Sequence, residues 1–237
     1  MLRRPLRIQR SGEVYVCSNR CFQDKHLIPT DPISAAQIEG SLGRYGKRYG
    51  VELYAYSFVP FGFWMVMGTK NKATRQHFMR DFSSWLATWV NRNRGRKGSL
   101  FHHRYEDEAI LDVQALIDSC VDATVAPVRE GFAEDLDDFT GASSWSWLDA
   151  GESKEGIWID RDKLRSKRRT NPDLEEEACS VAYAVPLCEP PVEAYAEDGD
   201  EGELEDEEAI AAVKRRVKKR VERIVQWQST LEPGELE

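Results

Sequence analysis

The feature that most constrains this chain is Phe58-Val59-Pro60-Phe61-Gly62-Phe63-Trp64-Met65-Val66-Met67, which carries almost no polar side chain. It follows the aromatic-rich, weakly alternating run Val51-Glu52-Leu53-Tyr54-Ala55-Tyr56-Ser57. Pro60 and Gly62 punctuate the middle, so the pattern predicts two buried strands within residues 51–69, meeting at a tight turn. The run is too short to cross a bilayer. A hairpin this apolar needs other elements to cover it.

The flanks supply those elements. Residues 13–19 are rich in β-formers and predict a first strand, followed by Arg20. Asp31 and Pro32 mark a helix start, as N-cap and first-turn residue. That helix runs to about Tyr49, with Ile33, Ala36, Ile38, Leu42 and Tyr45 at roughly helical spacing and Gly50 as its stop. Arg44, Lys47 and Arg48 crowd its C-terminal end, which suits the helix dipole. Residues 71–93 predict a second helix with an apolar stripe of Phe78, Phe82, Trp85, Leu86, Trp89 and Val90. A basic, glycine-containing loop with Arg92, Arg94, Arg96 and Lys97 follows. Residues 100–110 contain the next strand. Asp112 caps a third helix that ends at Thr124, before Pro127, with residues 126–131 as a turn. Strand, helix, strand, strand, helix, strand, helix is the order of an α+β domain, an antiparallel sheet with helices packed on it.

Beyond residue 150 the pattern thins. Residues 151–175 read as charged and irregular, and residues 186–208 as an acidic linker. A helix from Glu207 to Gln228 then carries Ile210, Val213, Val217, Val221 and Ile224 as one stripe and a dense set of cations elsewhere. A docking or coiled-coil helix, a DNA-contacting helix and a helix laid on the body all stay open. The division is therefore 1–148 as the main domain, 149–206 as an irregular acidic linker or extension, and 207–229 as an amphipathic helix.

Net charge is −8, but it is unevenly spread. Residues 1–110 hold 18 basic and 9 acidic side chains, while residues 111–160 hold 2 and 12 and residues 161–237 hold 13 and 20. A basic half on an acidic chain suits either a phosphate-binding surface or an acidic tail lying on a basic body. The five cysteines are odd in number and have no zinc-like spacing. With no apolar leader and no membrane span, they read as reduced thiols of a cytoplasmic protein.

Several short segments in order resemble the REP-associated tyrosine transposases, single-tyrosine members of the HUH endonuclease superfamily. They are Val14-Tyr15-Val16-Cys17-Ser18-Asn19-Arg20, Tyr56-Ser57-Phe58-Val59-Pro60, and Phe78-Met79-Arg80-Asp81-Phe82 with its terminal Asn91-Arg92. Gly98-Ser99-Leu100-Phe101-His102-His103-Arg104-Tyr105, Ala126-Pro127-Val128-Arg129-Glu130-Gly131 and Ser143-Ser144-Trp145-Ser146 complete the set. The resemblance implies a ferredoxin-like HUH-type sheet; the C-terminal extension ending in a long charged helix, read from the pattern above, lies beyond the segments that resemble the family. It also implies a His-hydrophobic-His pair holding a divalent ion, and a tyrosine nucleophile acting on single-stranded DNA beside a hairpin.

Both catalytic parts depart from that pattern. Gly62 and Trp64 stand at the two histidine positions, and Asp122 stands where the tyrosine is expected. Neither glycine nor an indole offers a metal lone pair. His102 and His103 are adjacent, so on a strand they would face opposite ways. The resemblance therefore points to an inactive homologue, a domesticated or accessory protein that binds single-stranded or hairpin DNA. Its expected phosphate contacts are Arg20, Arg44, Lys47, Arg48, Arg75, Arg80, Arg92, Arg94, Arg96, Lys97 and Arg104. No metal site or cofactor is expected; a divalent ion such as magnesium belongs only to an active site. Two readings stay open beside this one. One is an active transposase or endonuclease working through Tyr105 with His102 or His103. The other is a protein-interaction subunit of a nucleic-acid complex, using the C-terminal helix for a partner or self-association.

Overall fold

The computed structural model describes residues 14–191 and 206–230. The basic N-terminal residues and most of the acidic linker expected at 186–208 lie outside them. The first six elements are β1 (Val14–Arg20), α1 (Pro32–Tyr49), β2 (Val51–Val59), β3 (Gly62–Thr69), α2 (Lys72–Asn93) and β4 (Glu106–Ala109). Their strands form an antiparallel sheet in the order β2-β3-β1-β4. This strand order on a βαββαβ chain is the ferredoxin-like arrangement.

Alternation along β3 sorts the two faces. Phe63, Met65 and Met67 join Phe78, Phe82 and Leu86 of α2 and Ile38 and Leu42 of α1 in one apolar cluster. Trp64 and Val66 face the other way, toward α3 (Val113–Arg129). The helix starts are set locally. Side-chain oxygens of Asp31, Asn71 and Asp112 accept from the amides of Ser34, Thr74 and Ala115 at 3.0, 3.0 and 2.7 Å. Gly50 takes a φ of 59° to end α1. Ile33, expected on the buried stripe of α1, is instead 74% exposed. The face that packs is formed by Ala35, Ile38, Leu42 and Tyr45.

The third helix does not stop before Pro127. It continues to Arg129, so the turn expected at 126–131 is largely helix. Proline at 127 removes the amide that would bond the carbonyl of Ala123. The Ser57 hydroxyl of β2 donates to that carbonyl at 2.6 Å and replaces the missing bond. A buried strand thus repairs the helix across the core.

The stretch expected to be irregular, 149–206, holds regular structure. After α4 (Trp145–Ala150) come β5 (Glu155–Ile159), α5 (Arg161–Arg168) and β6 (Ser180–Ala184). The two strands β5 and β6 pair as a separate two-stranded antiparallel sheet that lies against α1. Contact at backbone level requires bare glycine. A Cβ at Gly40 would stand 2.3 Å from the Ile157 carbonyl carbon, and one at Gly43 would stand 2.5 Å from the Ala184 oxygen. Below this contact, the buried Glu39 accepts from Tyr56 Oη at 2.9 Å and from Lys154 Nζ at 3.1 Å. Burial pushes the Glu39 carboxyl above the usual range, and Lys154 opposes that shift.

Both sheet edges are protected. The outer edge of β2 is taken by loop backbone: Phe58 N donates to Ala142 O, Ser144 N to Tyr56 O, and Leu53 N to Pro186 O, at 2.8–2.9 Å. The other edge, β4, is short and mostly acidic. The final helix, α6 (Asp206–Thr230), is laid on the body, one of the three alternatives its pattern allowed. Val213, Val217 and Val221 are buried against α3 and the Trp145–Leu148 region, each burial contributing about 1.5–3 kcal/mol. Asp149 fixes the helix from the side, at 3.0 Å from Lys214 and 3.1 Å from Lys218.

Candidate nucleic-acid interface

A cleft of about 620 Å³ opens where β1 ends, β3 begins and the α3 C-terminus comes over them. Arg20 is the last residue of β1 and is exposed. Its guanidinium carbon stands 4.9 Å from the Phe61 ring centroid, and Nη1 is 3.3 Å from Asp24. Gly62 and Trp64 lie two apart on β3 and so share the face toward α3. Trp64 is half-buried and meets Phe61 edge-on, with centroids 6.1 Å apart. The far wall is the loop carrying His102, His103 and Arg104.

The residue that fills the middle is Arg129. Its guanidinium carbon is 5.3 Å from the Trp64 ring centroid. Nη1 donates to the Asp122 carbonyl at 3.3 Å and lies 4.0 Å from the Asp122 carboxylate, while Nε donates to Glu130 at 3.0 Å. A cation therefore joins Trp64, one of the two β3 positions that the resemblance assigns to metal ligands, to Asp122, the α3 position that it assigns to the nucleophile. Its side chain remains 30% exposed, enough to reach an anion. Arg129 is not among the expected contacts, since Pro127 makes its segment read as a turn. A helix continuing past the proline would have put this charge at a helix C-terminus beside β3.

The donor set does not fit a divalent ion. Gly62 has no donor, and a Cβ there would stand 2.5 Å from the Asn19 carbonyl of the paired strand. A larger side chain at 62 requires the β1–β3 pairing to shift. His102 and His103 lie in a loop, so they do not point to opposite faces as expected of strand neighbours. Their Nδ1 and Nε2 atoms approach to 2.5 Å instead. Among the described residues, no three His, Cys, Asp or Glu side chains gather into a metal-holding group. Tyr105 is buried, 5% exposed. Cys21, on the cleft floor, has its thiol pushed up to about 12 by burial, with Arg96 pulling the other way.

The expected phosphate contacts divide into groups. Arg20 and Arg104 line the cleft. Arg94, Arg96 and Lys97 lie in the loop after α2, which is tied to the same end of the molecule: Arg94 Nε donates to Leu27 O at 3.1 Å, and Asn91 Nδ2 to Gly98 O at 2.8 Å. Arg44, Lys47, Arg48, Arg80 and Arg92 belong to the α1–α2 side. Arg80 there is 2.8 Å from Asp81, whose carboxyl is held below its usual range by Arg80 and Tyr49. Arg75 is a correction. It is 1% exposed, its Nη2 lies 3.0 Å from Asp107 on β4, and its guanidinium carbon lies 3.2 Å from the Tyr15 ring centroid. The helical stripe of α2 turns it inward, so it serves the core and not a phosphate.

No family model matches the chain, and no curated protein matches it. Among solved structures, one similar to it is a REP-associated tyrosine transposase bound to a REP hairpin. The identity is 12% and the TM-score 0.48, covering 61% of this chain and 83% of that chain. A crystal structure of a protein from Deinococcus radiodurans R1, named as a transposase, is similar at 15% identity and a TM-score of 0.35, covering 46% of this chain and 86% of that chain. Likeness at this level concerns the course of the backbone, and substrate and chemistry do not follow from it.

Proposed function

We propose that this protein is a transposase-like DNA-binding protein that holds single-stranded or hairpin DNA without cutting it. The observation that carries the reading is the occupation of the cleft. Arg129 bridges Trp64 and Asp122, which stand at one metal-ligand position and at the nucleophile position of the family the sequence resembles. Arg20 and Arg104 stand on the same cleft. Guanidiniums bind phosphate through charge and a fork of donors, with no metal. The half-buried Trp64, which lines the cleft, offers a ring for an unpaired base.

The test is binding of labelled hairpin, single-stranded and duplex DNA at two salt concentrations, with and without magnesium. Three arginine–phosphate contacts predict that a fourfold rise in salt weakens binding about 20- to 40-fold. Arg20→Ala, Arg104→Ala and Arg129→Ala together should remove most of that salt dependence. An unchanged slope in the triple variant would put the DNA elsewhere. A cleaved product or covalent adduct would overturn the non-cutting part of the reading.

A further inference from the structure

A second cleft, about 360 Å³, lies on the other side of the sheet between α1, α2 and the strand–helix junction of β5 and α5. Its wall is aromatic. Trp85 is 5.6 Å from Trp89 with planes 17° apart, and 5.7 Å from Trp158 at 35°. Arg44 stands over Trp158, its guanidinium carbon 4.0 Å from the ring centroid. Trp85 and Trp158 are only half-buried. The wall combines side chains of α1, α2 and β5, and it forms only because the β5–β6 pair docks on α1.

The charges around it are not equally free. Asp81 is engaged by Arg80 and Tyr49. Asp160 caps α5 by accepting from Lys163 N at 2.9 Å. Asp162 is 3.9 Å from Arg165, and Arg161 pairs with Glu176. Arg44 and Arg92 remain, with no carboxylate pairing with either among the described residues. Two guanidiniums free of carboxylates, that of Arg44 resting on the Trp158 ring, stand beside half-open indoles, the combination that single-stranded nucleic acid uses: charge for the backbone and π faces for successive bases.

The second cleft is also connected to the first. Arg92 sits in the last turn of α2, and the loop that follows reaches Leu27 through Arg94. Positive charge thus runs from Arg44 through Arg92 and the loop to the rim of the Arg20 cleft. We infer that the Trp85–Trp158 cleft takes the single-stranded segment of a DNA whose hairpin lies in the first cleft, with bases on the indoles and phosphates on Arg44 and Arg92. This inference rests on the DNA-binding reading above.

The experiment compares a blunt hairpin with the same hairpin bearing a short oligothymidine tail, using the full chain. The tail should tighten binding about tenfold and quench tryptophan emission. Arg44→Ala with Arg92→Ala should bring the tailed-to-blunt affinity ratio close to one. Trp158→Phe, which keeps a ring against Tyr45, should give an intermediate ratio, with thermal melts confirming that each variant is folded. A ratio of one in the natural chain, or a ratio unmoved in the double variant, overturns the inference while leaving the first cleft standing. Absence of binding to either probe overturns the DNA-binding reading itself, and this inference with it.

Discussion

Replacing Arg75 with Met removes one half of an ion pair whose side chains are 1% and 2% exposed. At the 3.0 Å separation of Nη2 and Asp107 Oδ2, an effective dielectric of about 20 gives an attraction of roughly 5 kcal/mol. Taking both ions out of water costs several kcal/mol each. The intact pair therefore contributes little net stability, yet losing one partner leaves a buried charge uncompensated. That loss costs about 3–5 kcal/mol, or a fall in Tm of about 6–20 °C for a chain of this size. Urea unfolding followed by circular dichroism measures it, and Arg75→Met with Asp107→Leu should recover most of the difference. A single variant that loses less than about 1 kcal/mol, or a double variant no more stable than the single, would refute the reasoning. DNA binding supplies an independent check. At a temperature where Arg75→Met is folded, its salt dependence should equal that of the natural chain, whereas a true phosphate contact would lower the slope by about one.

Ser57→Ala should cost about 1–3 kcal/mol in urea unfolding, because it strands the Ala123 carbonyl in the core. Adding Pro127→Ala, which restores an amide for that carbonyl, should return much of the loss; equal stability of the single and double variants would discount the repair. Asp149 has its carboxyl held below the usual 3.8 by Lys214 first and then Lys218. A depressed carboxylate contributes stability above its ordinary value and loses it as pH falls toward the folded value. Protection of α6 amides from hydrogen exchange should thus fall below about pH 4, and Asp149→Asn should reproduce that loosening at neutral pH. Equal protection in the variant and the natural chain would show that the valine stripe alone holds α6.

What was legible in the sequence was mostly what is local. Asp31, Pro32 and Gly50 bound α1 as their types dictate, and Pro60 and Gly62 mark the β2–β3 turn, because caps and turns are decided within a few residues. What was illegible depended on partners far along the chain. The proline that seems to end α3 is tolerated because Ser57, 66 positions before Ala123 in sequence, lies against the Ala123 carbonyl in space. Arg75 looks like any surface cation until Asp107 of β4 is placed beside it. Residues 151–175 look irregular because charge dominates them, while their few apolar groups fit a helix face made of glycine. The candidate site divides in the same way. Arg20 and Arg104 follow from position on strand and loop, whereas Arg129 follows only from the length of α3.

The glycine contact between α1 and the late β5–β6 pair also sets an order of events during synthesis. Lys154, which reaches Glu39, emerges 115 positions after it. At about 5–20 residues per second, α1 waits on the order of ten seconds with its small-residue face uncovered. The βαββαβ core can close in that time, since its strands and helices are all made. The face meant for Ile157 and Ala184 stays open to whatever else the nascent chain meets. A fragment cut near residue 148, where the composition changes, would keep that face open permanently. A shortened chain is therefore expected to fail by sticking to neighbours before it fails to fold.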